Sequence, residues 1–141
     1  MKKDKALFVC AHNRIRSQMA AAFLRRLAGE RFEAYSACLD PGPPNPLAIE
    51  AMLELGIDLP VSQPGDLSIL LNGEELFSYL ITVCDTGSLK RCPVFPGKVS
   101  RLHWNFPDPD IEGTLEDKLE ATRDVRDGIR VAVVEFIGEN T

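Results

Sequence analysis

The run "ALFVC", Ala6 to Cys10, constrains the fold more than any other stretch, because it is continuously apolar where a half-exposed strand would alternate. A strand of this kind is buried on both faces, which requires a sheet with helices on each side. The residues that follow agree. From Ser17, "SQMAAAFLRRLAG" has helical spacing, with Met19, Phe23 and Leu27 four apart on one expected face and Gly29 as a stop. "FEAYSACL" alternates like a second strand. "PGPPNPLAIEAMLELGI" is a proline-rich turn entering a helix, with Asn45 as cap, Pro46 at the first position and Gly56 past the end.

Farther on, "LSILLNGEELFSYLITVC" predicts a short helix and then a strand ending at Cys84, and "GKVSRLHWNFPDPD" predicts a strand to about Trp104 and a proline-punctuated loop. "TLEDKLEATRDVRDGIRVAVVEFIGE" is the longest helix, with Leu115, Leu119, Val125, Ile129, Ala132, Val133 and Phe136 as its apolar stripe. The alternation predicts an α/β fold: an open, doubly wound four-stranded parallel sheet with helices on both faces, residues 1–141 forming a single domain. In such sheets ligands bind beyond the carboxyl ends of the strands. Cys10, Cys84 and the loop holding Asp108 all follow strands at that end.

A hydrophobic fraction of 45% and a charged fraction of 26% are those of a soluble globule. The net charge of −5 argues against a nucleic-acid backbone or an anionic membrane as the main partner. No apolar run reaches the roughly 18 residues that span a bilayer, and the basic-then-apolar start reads as a first strand rather than a signal peptide. The four cysteines, Cys10, Cys38, Cys84 and Cys92, are too irregular for a disulfide scaffold, and none has metal-ligand spacing with His12 or His103. Cytoplasmic thiols are expected.

Between Cys10 and the helix, the loop Ala11, His12, Asn13, Arg14 and Ile15 can turn its successive N–H groups into one concavity, a nest for a tetrahedral oxyanion. The helix start near Ser17 adds unsatisfied N–H groups and a positive dipole end, and the planar fork of Arg16 suits two oxyanion oxygens. Asn13 tolerates the left-handed backbone such a loop needs. His12 reads as a solvated loop residue. A free thiol of pKa ~8.5 is only a few per cent ionised at neutral pH, and a helix end contributes at most about 2 kcal/mol. A nucleophilic Cys10 therefore needs the N–H groups, the Ser17 hydroxyl and Arg16 together. The bland alternative is a buried cysteine beside a surface arginine.

"FVCAHNRIRSQMAAAF" resembles the phosphate loop of the low-molecular-weight protein tyrosine phosphatases and of the thioredoxin-coupled arsenate reductases built on that fold. "SAC-x-x-PG-x-x-NP-x-AIEAMLELGIDL", "VCD…CPVFPG" and "HWNFPDP" extend the resemblance over nearly the whole chain, the last two on the reductase branch. The resemblance implies Cys10 as nucleophile, Ala11 to Ser17 as the oxyanion cradle with Arg16 as its clamp, and Asp108 as proton shuttle. Pro109 extends and stiffens the loop behind Asp108, while Asp110 has no such role, and Trp104 and Phe106 read as packing. From the residues alone, Cys84 and Cys92 read equally as unrelated thiols. The resemblance makes them a relay: Cys84 attacks the Cys10–arsenic adduct, Cys92 then attacks Cys84, and thioredoxin reduces the resulting disulfide. Were the segment between them helical, its rise would separate the two thiols by about 12 Å, beyond the roughly 4.4–6.8 Å between Cα atoms that a disulfide needs, so oxidation would rearrange it. Cys38 reads as a strand-end thiol.

Three departures from the family pattern are visible. Ala21 stands where these reductases carry an acidic residue, which weakens the implied potassium site at Asn13 and Ser36. The spacing of Cys84 and Cys92 is longer by one residue. Asp110 replaces the aromatic that borders phosphotyrosine in the phosphatases, which disfavours that alternative. The expectation is a monomeric, cytoplasmic arsenate reductase with no tightly bound cofactor or metal. A phosphatase acting on phosphotyrosine or small aryl phosphates is the alternative, and a non-catalytic anion-binding module the second alternative.

Overall fold

The computed structural model describes residues 4–10, 15–38, 46–59, 65–66, 77–84, 100–106 and 112–140. In chain order they form β1 (Asp4–Cys10), α1 (Ile15–Ala28), β2 (Phe32–Cys38), α2 (Pro46–Leu53), β3 (Gly65–Asp66), β4 (Tyr79–Cys84), β5 (Ser100–Asn105) and α3 (Leu115–Glu139). The sheet is parallel throughout, in the order β3-β2-β1-β4-β5. Its four full-length strands are those expected. The two-residue β3 extends the β2 edge through Ala37 and Cys38, and a pairing so short leaves no periodic trace in a sequence.

The central strand behaves as its apolar run requires. Ala6 and Phe8 join the core with α1 and α3, while Leu7 and Val9, on the opposite face by strand alternation, are equally buried. β4 repeats the pattern, with Ile81 and Val83 in that core and Leu80 and Thr82 buried on the other side. β5 is a mostly exposed edge strand. It is anchored where Thr82 Oγ1 meets His103 Nδ1 at 2.7 Å, and where Trp104 packs on Phe8 and Phe136 at centroid distances of 5.7 and 6.2 Å.

α1 buries Arg16, Ser17, Met19, Ala20, Phe23 and Leu24, but Leu27 is 46% exposed. The expected Met19–Phe23–Leu27 face therefore breaks at its last member. Residues 16–24 are buried on every side of the helix, whereas Leu27 lies in the last turn beside exposed Arg25 and Arg26, so its position along the axis leaves it beyond the core. α1 also starts at Ile15, two residues before the expected Ser17.

α2 starts at Pro46 as expected, and it closes at Gly56 in the left-handed region with φ of 74°. There Gly56 N–H donates to Leu53 O at 2.9 Å and Ile57 N–H to Met52 O at 3.0 Å, a Schellman closure. Its proposed cap, Asn45, and the short helix expected before β4 lie outside the described residues.

α3 opens with a capping box. Asp117 N–H donates to Thr114 Oγ1 at 3.1 Å, and Thr114 N–H donates to the Asp117 carboxylate at 3.2 Å. Val125, Ile129, Val133 and Phe136 form the buried stripe, while Leu115, also expected in it, is 75% exposed. It is the first residue of the helix, ahead of the stretch that lies on the core. No helix among the described residues is long and apolar enough to cross a membrane.

α2 is tied to α3 by charge. Glu54, in the turn that ends α2, accepts from Arg123 and from Arg126, and the nearly buried Arg126 also donates to Ala51 O at 2.8 Å. The hydrogen bonds from Arg123 and then Arg126 hold the Glu54 carboxyl down at about 2. An unfolded glutamate titrates near pH ~4.3, so between those two values the unfolded chain binds more protons and acid selectively destabilises the native state. Glu54→Gln is therefore expected to lower the melting temperature at pH 7, with the deficit shrinking as pH falls from about 5 toward 2. Melting curves by circular dichroism across that range check this, and a deficit constant with pH contradicts it.

Candidate active site at the carboxyl ends of the strands

The chain runs from β1 to β2 on one side and returns to place β4 and β5 on the other, so the topological switch lies between β1 and β4. A crevice outside the carboxyl ends of such a pair is where open α/β sheets take their ligands. Cys10 is the last residue of β1 and Cys84 the last of β4. Val9 pairs with Thr82, which sets Cys10 level with Val83 and Cys84 one residue farther on. With strands ~4.8 Å apart and a rise of ~3.3 Å per residue, the two Cα atoms are roughly 6 Å apart. On the other flank Cys38, the last residue of β2, is the register partner of Cys10. Three cysteines thus end three adjacent strands. The sequence reading assigned Cys38 to a strand end without placing it beside Cys10. The signal was available, since two cysteines closing successive strands of one βα unit must meet if those strands pair in parallel and in step.

α1 brings Arg16 and Ser17 to this end of the sheet on its first turn, where backbone N–H groups lack intrahelical partners and the helix dipole is positive. Both side chains are buried, and Arg16, 1% exposed, heads the largest fully buried side chains. Burying a guanidinium is costly without hydrogen bonds. One is supplied by the backbone of Phe106, whose carbonyl accepts from the Arg16 terminal nitrogen at 2.9 Å. Phe106 directly follows β5, so the arginine links the first turn of α1 to the end of β5. Phe106 was expected to be packing, and its ring does lie against the core. The role of its carbonyl left no signal, because any residue type carries one.

Of the remaining expected site residues, Ile15 opens α1, and Ser36 is half-buried on β2 as the register partner of Phe8. Ala11, His12, Asn13, Arg14, Asp108 and Cys92 lie outside the described residues, as does the whole chain between the two later cysteines. Among the described residues no group of three histidine, cysteine or acidic side chains could hold a metal ion. What the geometry brings to this end of the sheet is a helix N-terminus, a buried arginine and the backbone positions of two cysteines. A helix N-terminus with a buried arginine beside it is chemistry suited to a tetrahedral oxyanion.

Residues 5–137 match the low molecular weight phosphotyrosine protein phosphatase family. The arsenate reductase of Bacillus subtilis (strain 168) is 38% identical over 139 residues, with 96% of each chain covered. A solved arsenate reductase in its phosphate-binding state superposes with a TM-score of 0.75 at 25% identity, covering 98% of this chain and 99% of the other. The thioredoxin-dependent arsenate reductase of Corynebacterium glutamicum aligns at 27% identity and a TM-score of 0.65, over 99% of this chain and 64% of its own.

Proposed function

This chain belongs to the low molecular weight phosphotyrosine protein phosphatase family, and on that premise we propose that it is an arsenate reductase, converting arsenate to arsenite at Cys10. The observation that carries the reading is the strand register. Cα atoms roughly 6 Å apart fall within the ~4.4–6.8 Å range of a disulfide, so Cys84 has backbone reach of Cys10. A phosphatase has no use for a second thiol at that position. The identity to enzymes named arsenate reductase over nearly full length points the same way.

In this reading the oxyanion sits on the N–H groups of the Cys10–Ser17 loop and first helical turn, gripped by Arg16. The Cys10 thiolate attacks arsenic and a hydroxide leaves as water, with Asp108 delivering the proton. The Cys84 thiolate then attacks the Cys10 sulfur. The new S–S bond forms as the S–As bond breaks, and the electron pair stays on arsenic, which leaves as arsenite. Cys92 attacks Cys84, freeing Cys10 and moving the disulfide to Cys84–Cys92. A dithiol protein of the thioredoxin class returns two electrons, in keeping with the similarity to the thioredoxin-dependent arsenate reductase of Corynebacterium glutamicum.

The test is steady-state NADPH oxidation with thioredoxin, thioredoxin reductase and arsenate. Arsenate-dependent turnover, saturable and competitively inhibited by phosphate, is the expected result. Hydrolysis of an aryl phosphate with no arsenate-dependent oxidation would return the protein to the phosphatase reading.

A further inference from the structure

α3 lies far from the strand ends in sequence, yet it touches the arginine of the site through one intermediary. The ring of Phe106 lies on Gly128, in the middle of α3. A Cβ built on Gly128 would stand 2.8 Å from Phe106 Cε1, 3.6 Å from Cδ1 and 3.7 Å from Cζ. Carbon–carbon contacts are comfortable at roughly 3.5–4.0 Å, so the ring edge already occupies the space of a side chain. Glycine in a helix interior is less favourable than alanine, because it gives up more backbone freedom on folding. Its usual justification, a positive φ, is missing here: only Gly56 and Gly113 among the described glycines have one. Gly138, in the same helix, offers the contrast, since a Cβ there would meet nothing within 4 Å. What Gly128 supplies is room for Phe106.

Phe106 is held at three points. Its ring is seated on Gly128, its carbonyl accepts from the buried Arg16 guanidinium at 2.9 Å, and the preceding Asn105 pairs in register with Cys84. A phenyl ring is rigid, has only two side-chain torsions and here packs against the core, so it has little freedom to swing aside and a shift of its seat is passed to the backbone it hangs from. A charge-assisted hydrogen bond from a planar fork depends strongly on where its acceptor lies.

We infer that Gly128 and Phe106 are positioning residues for the oxyanion site, α3 setting through the Phe106 carbonyl where the Arg16 fork points. The inference rests on the reading of Arg16 as the anion clamp and extends it to the helix at the other end of the chain. Neither residue touches substrate.

The experiment measures KM and kcat for arsenate and the competitive inhibition constant of inorganic phosphate, with melting temperature alongside, for Gly128→Ala, Gly138→Ala, Arg16→Lys and the double variant Phe106→Leu/Gly128→Ala. Gly128→Ala is expected to weaken phosphate binding and raise the arsenate KM by about tenfold, because the fork is misdirected. Gly138→Ala should leave both constants unchanged. The double variant, with a narrower side chain facing the new methyl, should recover phosphate affinity to within about threefold of the parent, which loss of stability alone could not produce. Should Gly128→Ala prove unable to fold, Phe106→Leu alone takes its place: with the ring lifted from its seat it is expected to weaken phosphate binding severalfold, and parental affinity there overturns the positioning role. Wild-type phosphate affinity in Gly128→Ala beside a weakened Arg16→Lys overturns the positioning role and leaves the clamp standing. Failure of the double variant to recover also overturns the positioning role. Unchanged affinity in Arg16→Lys removes the clamp itself, and the inference with it.

Discussion

Cys10→Ser is expected to reduce arsenate turnover by at least about 10⁴-fold, the order seen when a covalent nucleophile is removed. A serine hydroxyl is un-ionised at neutral pH, and an oxygen at this position cannot be attacked by Cys84 to make a disulfide, so both the first and second steps are lost. The fold should persist, because Cys10 takes part in β1 through its backbone pairing with β2 and the hydrophobic runs of β1 and α1 are untouched. Phosphate binding should also persist, since the clamp and the first turn of α1 remain. Arsenite release and phosphate titration on the same preparation check both halves. Residual turnover above about 1% would displace Cys10 from the nucleophile role.

Cys92→Ser is expected to leave the first turnover intact and abolish the later ones. One arsenite per protein should be released, followed by arrest with a Cys10–Cys84 disulfide, and thioredoxin-coupled steady-state turnover should fall by about 10²-fold or more. The reason is access. Val9 and Val83, the chain neighbours of Cys10 and Cys84, are both buried. In the proposed relay a protein reductant meets the disulfide only after an outer thiol has drawn it outward. Peptide mapping of the arrested protein checks the pairing, and aryl phosphate hydrolysis, where present, should be unaffected. Unchanged multiple turnover would remove Cys92 from the relay.

Much of the architecture was legible in local sequence because it rests on local physics. The unbroken "ALFVC" required a strand buried on both faces, and Leu7 and Val9 are as buried as Ala6 and Phe8. Pro46 marked the start of α2 and Gly56 its end, because capping is settled within a few residues. Facing was less legible. Leu27 and Leu115 belong to apolar patterns yet are exposed, since a helix stripe states which residues could be buried and not how far the surface opposite extends.

For the site, the sequence alone determined its chemical inventory and the sheet end at which it gathers: a strand-terminal thiol, an arginine on the following helical turn, and further cysteines to come. Tertiary structure decided what meets what. Register brought Cys10 between Cys38 and Cys84 along the strand ends, and side-chain packing turned Arg16 onto the Phe106 carbonyl and seated Phe106 on Gly128. Those contacts join residues from distant parts of the chain through backbone atoms and through the space left by a missing side chain. Neither leaves a mark in the identity of a residue, so only the folded chain could disclose them.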